Sequence, residues 1–490
     1  MSEMSEAQSL QALSPWASLG QRWGHPWHAM CSYLGTFPPA LARAMVSMLS
    51  DPGDLVLDPF SGRGTTLLES RLLGRVPLAV DLNPIAVALS RAKNVTLSLE
   101  EVRTRLQQLK EGYDKLLYGP EAQVQSDDIQ LIFHPTTLAQ LCYLRRKLLF
   151  TNSEIDQVLV GAVLGIMHGS ERQDGSSGYA SISMPNTFSM SPNYVRRFVE
   201  TNRLNRTARD VFEILEQKLE RLFKEPPPCG SKGQVVAGDA KQLASIRELM
   251  PFREKVKLVV TSPPYLDVVN YARQNWIRNW FLAPHPESKL ADGLDDNLTL
   301  SNWLDFVGSV IGQIRRILSP DGVLVLVVGD VARPNRSHIS LAREFIQRVR
   351  HDKLFSYIGC FEDYIGQDIK TTRIWKDTKG RATEVDRIIV LSNSRPKFRV
   401  NELPAILGVR ELSPEQLKKI NPDVLVLNAK RFAGIASVVG DSKRIRKRST
   451  MRARKRSTGR ARKGKAPSRV RPQGRNKRIS ANQRKRRVSR

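Results

Sequence analysis

Cysteine is scarce, with four residues in 490 (Cys31, Cys142, Cys229 and Cys360), no CxxC and no histidine pair at ligand spacing. That pattern argues against a zinc site or a disulfide framework. No metal is expected, and a reducing cytosol is the simplest compartment. Long apolar runs are missing too. None approaches the roughly 20 residues a membrane span needs, and the opening MSEMSEAQSLQAL has neither the basic region nor the apolar stretch of a signal peptide. No membrane is expected, and the chain reads as soluble and intracellular. Acid is the third shortage: 77 Lys and Arg face 48 Asp and Glu, for a formal net charge of +29. The imbalance is local. From Asp441 to Arg490 there are 23 cations and one acid, so +22 sits in the last 50 residues and only +7 in the first 440.

What is present is an ordinary apolar fraction, 41 %, in a chain long enough to bury a large core and to carry two or three units. Short β-branched or apolar runs recur: DLVLD (54–58), PLAVD (77–81), QVVAGD (234–239), KLVVT (257–261), GVLVLVVGD (322–330), FSYIGCFED (355–363) and RIIVLSN (387–393). Each is followed by a turn signal and then by helix-like sequence. Continuous apolar strands alternating with helices predict a doubly wound α/β domain, with a mostly parallel sheet covered on both faces. The alternation breaks between about Asn94 and Lys232. There three helix-like runs (99–117, 134–150 and 208–223) surround the polar stretch HGSERQDGSSGYASISMPNTFSMSPNYVRR (168–197), and the linker EPPPCGSKG closes the segment. This reads as a helical insertion. The boundaries expected are 1–94 and 232–400 for two parts of the sheet domain, 95–231 for the insertion, 401–440 for an extension, and 441–490 for a basic tail. The tail is almost devoid of apolar residues and is expected to be disordered.

The first strand ends in Asp58-Pro59-Phe60-Ser61-Gly62-Arg63-Gly64-Thr65-Thr66, and LLESRLLG follows as a helix. Ligands of open α/β sheets bind at the carboxyl ends of strands, where glycines admit close backbone approach. The second strand ends in Asp81-Leu82-Asn83-Pro84, an acid placed to bond a ribose hydroxyl pair. A glycine pair after a strand is by itself equally a plain tight turn. No lysine follows the glycines where a phosphate-binding loop needs one, nor is there a GxGxxG. A ligand without phosphates fits better than a nucleotide.

GTFPPALARAM (35–45), DLVLDPFSGRGTTLLES, AVDLNPIAVALS, VVAGDAKQL and TSPPY together resemble the amino-methyltransferases of DNA, most closely the cytosine-N4-specific branch. The resemblance covers roughly residues 20–94 and 232–395. It implies a seven-stranded Rossmann-like methyltransferase sheet and S-adenosyl-L-methionine as cofactor. Asp58, Phe60, Gly62, Gly64 and Thr65 are implied to hold its methionine part, Asp81 its ribose, and Asp239 to lie beside its adenine. Phe37 with Pro38 matches the N-terminal motif that closes over the cofactor, and Pro59, Thr66, Asn83 and Thr261 complete the implied binding set. The cofactor half comes first and TSPPY afterwards, which departs from the commonest circular arrangement of cytosine-N4 enzymes.

The chemistry at Ser262-Pro263-Pro264-Tyr265 follows from the substrate the resemblance implies. An exocyclic amine is a poor nucleophile because its lone pair is delocalised into the ring. Two acceptors for its N–H groups, the Ser262 hydroxyl and the Pro263 carbonyl, favour a pyramidal nitrogen. The prolines hold those acceptors in line for direct displacement, and Tyr265 offers a stacking face to a flipped base. Serine favours cytosine N4; an acid in its place would favour adenine N6. Methylation at cytosine C5 needs a cysteine nucleophile, but Pro228-Cys229 lies in the linker and Cys229 reads as a linker residue.

Target reading is expected from the 168–197 stretch, with Asn193, Tyr194, Arg196 and Arg197 as DNA-binding candidates; a surface loop shielding the cleft is the plainer alternative. Arg273 and Arg278 could reach phosphates or could equally sit on a solvated face. Trp276, Trp280 and Phe281 read as core, and His25 and His28 as cap or packing residues. The basic tail would neutralise phosphates without regard to sequence. The expected protein is a cytoplasmic, nucleoid-associated, site-specific methyltransferase of double-stranded DNA acting at cytosine N4, with a cognate restriction endonuclease as a further partner. The rivals are an adenine-N6 or RNA amino-methyltransferase, and a nucleic-acid-packaging protein with a relic cofactor domain.

Overall fold

The computed structural model describes residues 10–13, 24–184, 191–264, 274–283, 298–332, 338–352, 354–364, 381–394 and 410–411. The chain divides into two units, 1–438 and 439–490, and all described residues lie in the first. The basic tail, Tyr265 and Arg273 therefore lie outside the described residues, as do 185–190 of the polar stretch.

Among the described residues one sheet collects β1 (Leu10–Leu13), β2 (Leu55–Asp58), β3 (Val76–Asp81), β4 (Gln234–Ala237), β5 (Val256–Thr261), β6 (Leu318–Ala332), β7 (His338–Ile339), β8 (Ser356–Tyr364), β9 (Arg381–Ser392) and β10 (Arg410–Glu411). The spatial order is β10-β1-β8-β9-β6-β5-β2-β3-β4, with β7 against β6. The seven central strands, β8 to β4, are the seven apolar runs of the sequence. They are parallel except β9, which runs antiparallel to both β6 and β8. From β2 the chain builds outward to β3 and β4 on one side, then crosses back to β5 and β6 on the other. That reversal between β2 and β5 is the topological switch point, where ligands of open α/β sheets bind.

Helices α1 (Pro39–Leu49), α2 (Thr65–Leu72) and α3 (Pro84–Lys93) attend the first strands. The insertion between β3 and β4 carries α4 (Leu99–Glu111), α5 (Lys115–Gln123), α6 (Asp127–Ile132), α7 (Pro135–Leu148), α8 (Glu154–Ile166), α9 (Pro192–Asn202) and α10 (Val211–Leu222). After β5 come α11 (Trp276–Leu282), α12 (Leu300–Ile317) and α13 (Leu341–Asp352). Local chemistry sets several starts: Asn83 caps α3, Ser98 and Glu101 form a reciprocal capping box on α4, and Thr299 caps α12.

Two apolar clusters cover the sheet. One joins alternate strand residues such as Leu57, Val80, Val259 and Leu326 to Trp303, Val307, Val310 and Ile314 of α12. The other runs from α3 into the insertion, joining Ile85 and Leu89 to Val158, Val163 and Leu215 and to Ile277 and Phe281 of α11. The insertion thus shares a core with the sheet domain. Helix α8 makes that contact close through two glycines. A Cβ at Gly161 would lie 2.7 Å from Ala92 Cβ of α3, and one at Gly165 would strike the Met30 carbonyl oxygen.

Candidate functional site

At the switch point a cleft is lined by residues that close or follow β2, β3, β4 and β5. Pro59, Phe60 and Gly62 follow β2, Asp81, Leu82 and Asn83 close β3, Asp239 and Ala240 follow β4, and Ser262 and Pro264 follow β5. Tyr33, Gly35 and Phe306 complete the wall. Among the described residues the lining contains two carboxylates and neither lysine nor arginine. Such a wall repels phosphates and suits a ligand that carries hydroxyls and positive charge.

Asp81 is half-buried on this wall. Its two oxygens accept from the N–H groups of Gly62 at 2.8 Å and Asn83 at 2.9 Å. Burial pushes its carboxyl up to about 7, against the pull of those donors. The Asn83 side chain accepts from the Ile85 N–H at 3.1 Å and donates to the Tyr33 hydroxyl at 2.9 Å, so the cap of α3 also fixes the ring over the cleft. Asp239 accepts from the Lys241 N–H at 2.8 Å, capping the short helix that follows β4. Phe60 and Phe306 form an aromatic corner with ring centroids 5.8 Å apart.

Not every implied cofactor residue reaches the cleft. Asp58 is buried and does not line the cleft; its carboxylate accepts from the Thr261 hydroxyl at 2.6 Å and from the Phe60 N–H at 3.1 Å, tying the end of β2 to the end of β5. Burial pushes it up to about 6. Thr66 donates to the Val260 carbonyl at 3.2 Å, while Thr65 receives the Arg63 side chain at 3.2 Å. Phe37 and Pro38 are buried at the start of α1, and the cleft is lined instead by nearby Gly35.

Gly62 and Gly64 both hold positive φ, 50° and 74°, where a side chain is strained. Only Gly62 lines the cleft. Gly64 faces α3, where a Cβ would come within 3.1 Å of the Ser90 hydroxyl and 3.3 Å of its Cα. Both glycines were expected to face a ligand; Gly62 faces the cleft, whereas Gly64 makes room for a helix. The same helix straps the turn elsewhere. Ser61 and Ser90 share a hydrogen bond at 3.1 Å, and buried Lys93 donates to the Arg63 carbonyl.

Ser262 and Pro264 line the cleft at the end of β5, and Pro263 is buried behind them. The indole N–H of Trp303, fully buried on α12, donates to the Pro264 carbonyl at 2.7 Å. This tie, Tyr33 and Phe306 had no signal in the sequence, since none of these residues lies inside a motif.

The DNA-binding candidates do not line the cleft. Asn193, Tyr194, Arg196 and Arg197 lie on α9, where Arg196 pairs with Asp128 of α6 at 2.6 Å, Arg197 donates to the Asn193 carbonyl at 3.3 Å, and Tyr194 stacks on Phe198. Arg278 belongs neither to a solvated face nor to a phosphate site. It is buried, donating to the Leu164 carbonyl at 3.1 Å and to Asn275 at 2.8 Å. Trp276, Trp280 and Phe281 pack into the insertion's core. His25 caps the turn at Pro26–Ala29, and His28 is buried against Glu69 at 2.6 Å. Cys229 is exposed in a linker whose flanking carbonyls, of Pro228 and Gly230, are held by buried Arg71. Among the described residues no group of three His, Cys, Asp or Glu is placed to hold a metal ion, and no helix is long and apolar enough to cross a membrane.

Residues 20–91 and 256–405 match the family of DNA methylases that act at N6 or N4 amines. Over 59 residues the chain is 41 % identical to the Type II methyltransferase M.XycI of Xanthomonas campestris pv. cyanopsidis, covering 12 % of this chain and 20 % of that protein. Over 76 residues it is 26 % identical to the Type II methyltransferase M.MjaII of Methanocaldococcus jannaschii, covering 16 % and 14 %. The chain thus spans a fifth or less of the length of these two relatives. Among solved structures, the PvuII cytosine-N4-specific DNA methyltransferase is similar at 18 % identity and a TM-score of 0.21, over 31 % of this chain and 48 % of that one. An rRNA methyltransferase from Streptomyces viridochromogenes is similar at 11 % identity and a TM-score of 0.29, over 75 % and 90 %. At such scores neither structure bears on function. The family match falls on β2, β3 and β5 and the turns that follow them, and over these segments the chain is similar to the DNA amino-methyltransferases.

Proposed function

We propose that the protein is an S-adenosylmethionine-dependent, site-specific DNA methyltransferase acting at the exocyclic N4 amine of cytosine. The observation that carries this reading is the meeting of Ser262 with Asp81, Gly62 and Asp239 in one cleft that, among the described residues, no cation lines. The lining fits the cofactor: acids for hydroxyls and for a cationic centre, an aromatic corner, and a backbone turn for the polar end. When bound, S-adenosylmethionine supplies an electrophilic methyl group on sulfonium sulfur. The protein's part is then to hold and orient. Asp81, braced by two backbone donors, accepts from a ribose hydroxyl. The Ser262 hydroxyl accepts from the amine N–H and favours a pyramidal nitrogen, with the Pro263 carbonyl as the second acceptor. Trp303 supports that role by fixing the adjoining Pro264 carbonyl, so the turn cannot rotate away from the incoming base. No covalent intermediate is needed, and the amine's proton leaves to solvent after transfer.

Serine rather than an acid at position 262 favours cytosine over adenine. A Type II methyltransferase function paired with a restriction endonuclease, and target contacts from α9, belong to the same reading. Ser262→Ala tests it: methyl transfer should fall at least about tenfold, the scale of a lost oriented hydrogen bond, while cofactor affinity measured by calorimetry stays unchanged. Undiminished transfer would remove Ser262 from the mechanism.

A further inference from the structure

Arg63 lies between the two glycines of the cofactor turn, yet its side chain lines a different cavity. That cavity is bounded by Arg63, Lys218 and Arg221, with His28, Ser32 and Tyr179 between them, and among the described residues no Asp or Glu lines it. Arg63 is 4 % exposed and held by Thr65. Lys218 is set by a 2.8 Å hydrogen bond to the Ala29 carbonyl, and Arg221 by one of 3.0 Å to the Gln217 carbonyl of its own helix. Two glycines make room for these cations. A Cβ at Gly165 would press to 3.3 Å of Lys218 Cε, and one at Gly178 to 3.3 Å of Arg221 Nη2. Glu69, which contacts the lining residue His28, is engaged by His28 at 2.6 Å and Arg43 at 3.1 Å.

We propose that this cavity is a phosphate site that grips the backbone of the DNA substrate. Three cations converge from two elements, Arg63 from the cofactor turn and Lys218 and Arg221 from α10, on a space that no carboxylate lines among the described residues. This is the reverse of the cofactor cleft, whose lining has acids and no cations. A single phosphate satisfies such a cluster with charge-assisted hydrogen bonds. Tyr179 belongs to the polar 168–197 stretch, so that stretch closes the phosphate site. Because Arg63 is part of the turn that carries Gly62, the grip on DNA is built directly onto the cofactor site. The proposal rests on the reading of DNA as substrate.

The test compares the full-length protein with Lys218→Gln/Arg221→Gln in two arms. In the first, DNA affinity is titrated at several salt concentrations. The double variant should bind about tenfold more weakly at moderate salt, with the slope of log K against log salt flattened by about 0.9, one phosphate contact. Its cofactor affinity should be unchanged. In the second, inorganic phosphate should raise the melting temperature of the wild type more than that of the variant, the basic tail being common to both. Equal DNA affinity and slope overturn the site as a DNA contact; if phosphate still discriminates, the ligand is a free phosphate instead. Loss in both arms with no methyl transfer by the wild type would keep the site and reject the enzymatic reading. Should the double variant fail to fold, Arg221→Gln, on an exposed helix position, decides with the same readouts.

Discussion

Asp58 and Asp81 end adjacent parallel strands, and their different roles follow from a few ångströms of placement. Asp81 reaches the cleft wall, whereas Asp58 is sealed beneath it as a strut to Thr261. The buried strut has a consequence for stability. Burial raises the Asp58 carboxyl to about 6, above its ordinary value near 4. The folded chain therefore holds the proton more tightly than the unfolded chain does. That contribution is fully present below about pH 4 and is lost as pH rises through 6. Asp58→Asn keeps an acceptor for Thr261 without the charge. Relative to wild type it should gain stability as pH rises from 4 to 7, by about 3 kcal/mol at most. Thermal melts across that range check this; a difference independent of pH would contradict it. At this scale the sequence was informative where chemistry was tied to strand ends, as at Asp81, Gly62 and Ser262. It was silent on Tyr33, Trp303 and Phe306, which converge only through folding. It also misled at Arg278, because burial with backbone carbonyl partners leaves no trace in a polar letter.

Two helices far apart in sequence hold the two halves of the site. Helix α3 straps the glycine turn through Ser90 and Lys93, and α12 steadies the proline turn through Trp303. Trp303→Phe keeps most of the buried ring but removes the indole donor. It should lower kcat about tenfold, with cofactor affinity within twofold of wild type; steady-state kinetics with calorimetry separate the two. Equal loss of both would mean that Trp303 serves the core alone. The seven central strands were readable because a continuous β-branched run between turn signals suits a strand buried on both faces and little else. The insertion was less so. Helix α8, EIDQVLVGAVLGI, is apolar nearly all round, and a short apolar run has no periodicity to distinguish helix from strand. Strand β1 consists of four residues, LQAL, paired to β8 by register alone.

Over the whole molecule, charge is divided by task. Among the described residues the switch-point cleft is acid-lined and the second cavity cation-lined, and +22 of the +29 net charge lies beyond residue 440. Removing residues 441–490 should weaken binding to all DNA sequences alike and flatten the salt dependence, while leaving the methylated position unchanged. Sequencing-based mapping of methylation by the truncated protein checks this, and a changed target would contradict it. The recognition sequence was not legible from the chain, because base readout depends on side-chain placement that no spacing rule fixes. The central claim is the identity of the methylated atom. Double-stranded DNA incubated with the protein and S-adenosylmethionine labelled in its methyl group, then digested to nucleosides and separated, measures it directly. Label in N4-methylcytosine is the result expected; label in N6-methyladenine, or none in DNA, would contradict the account.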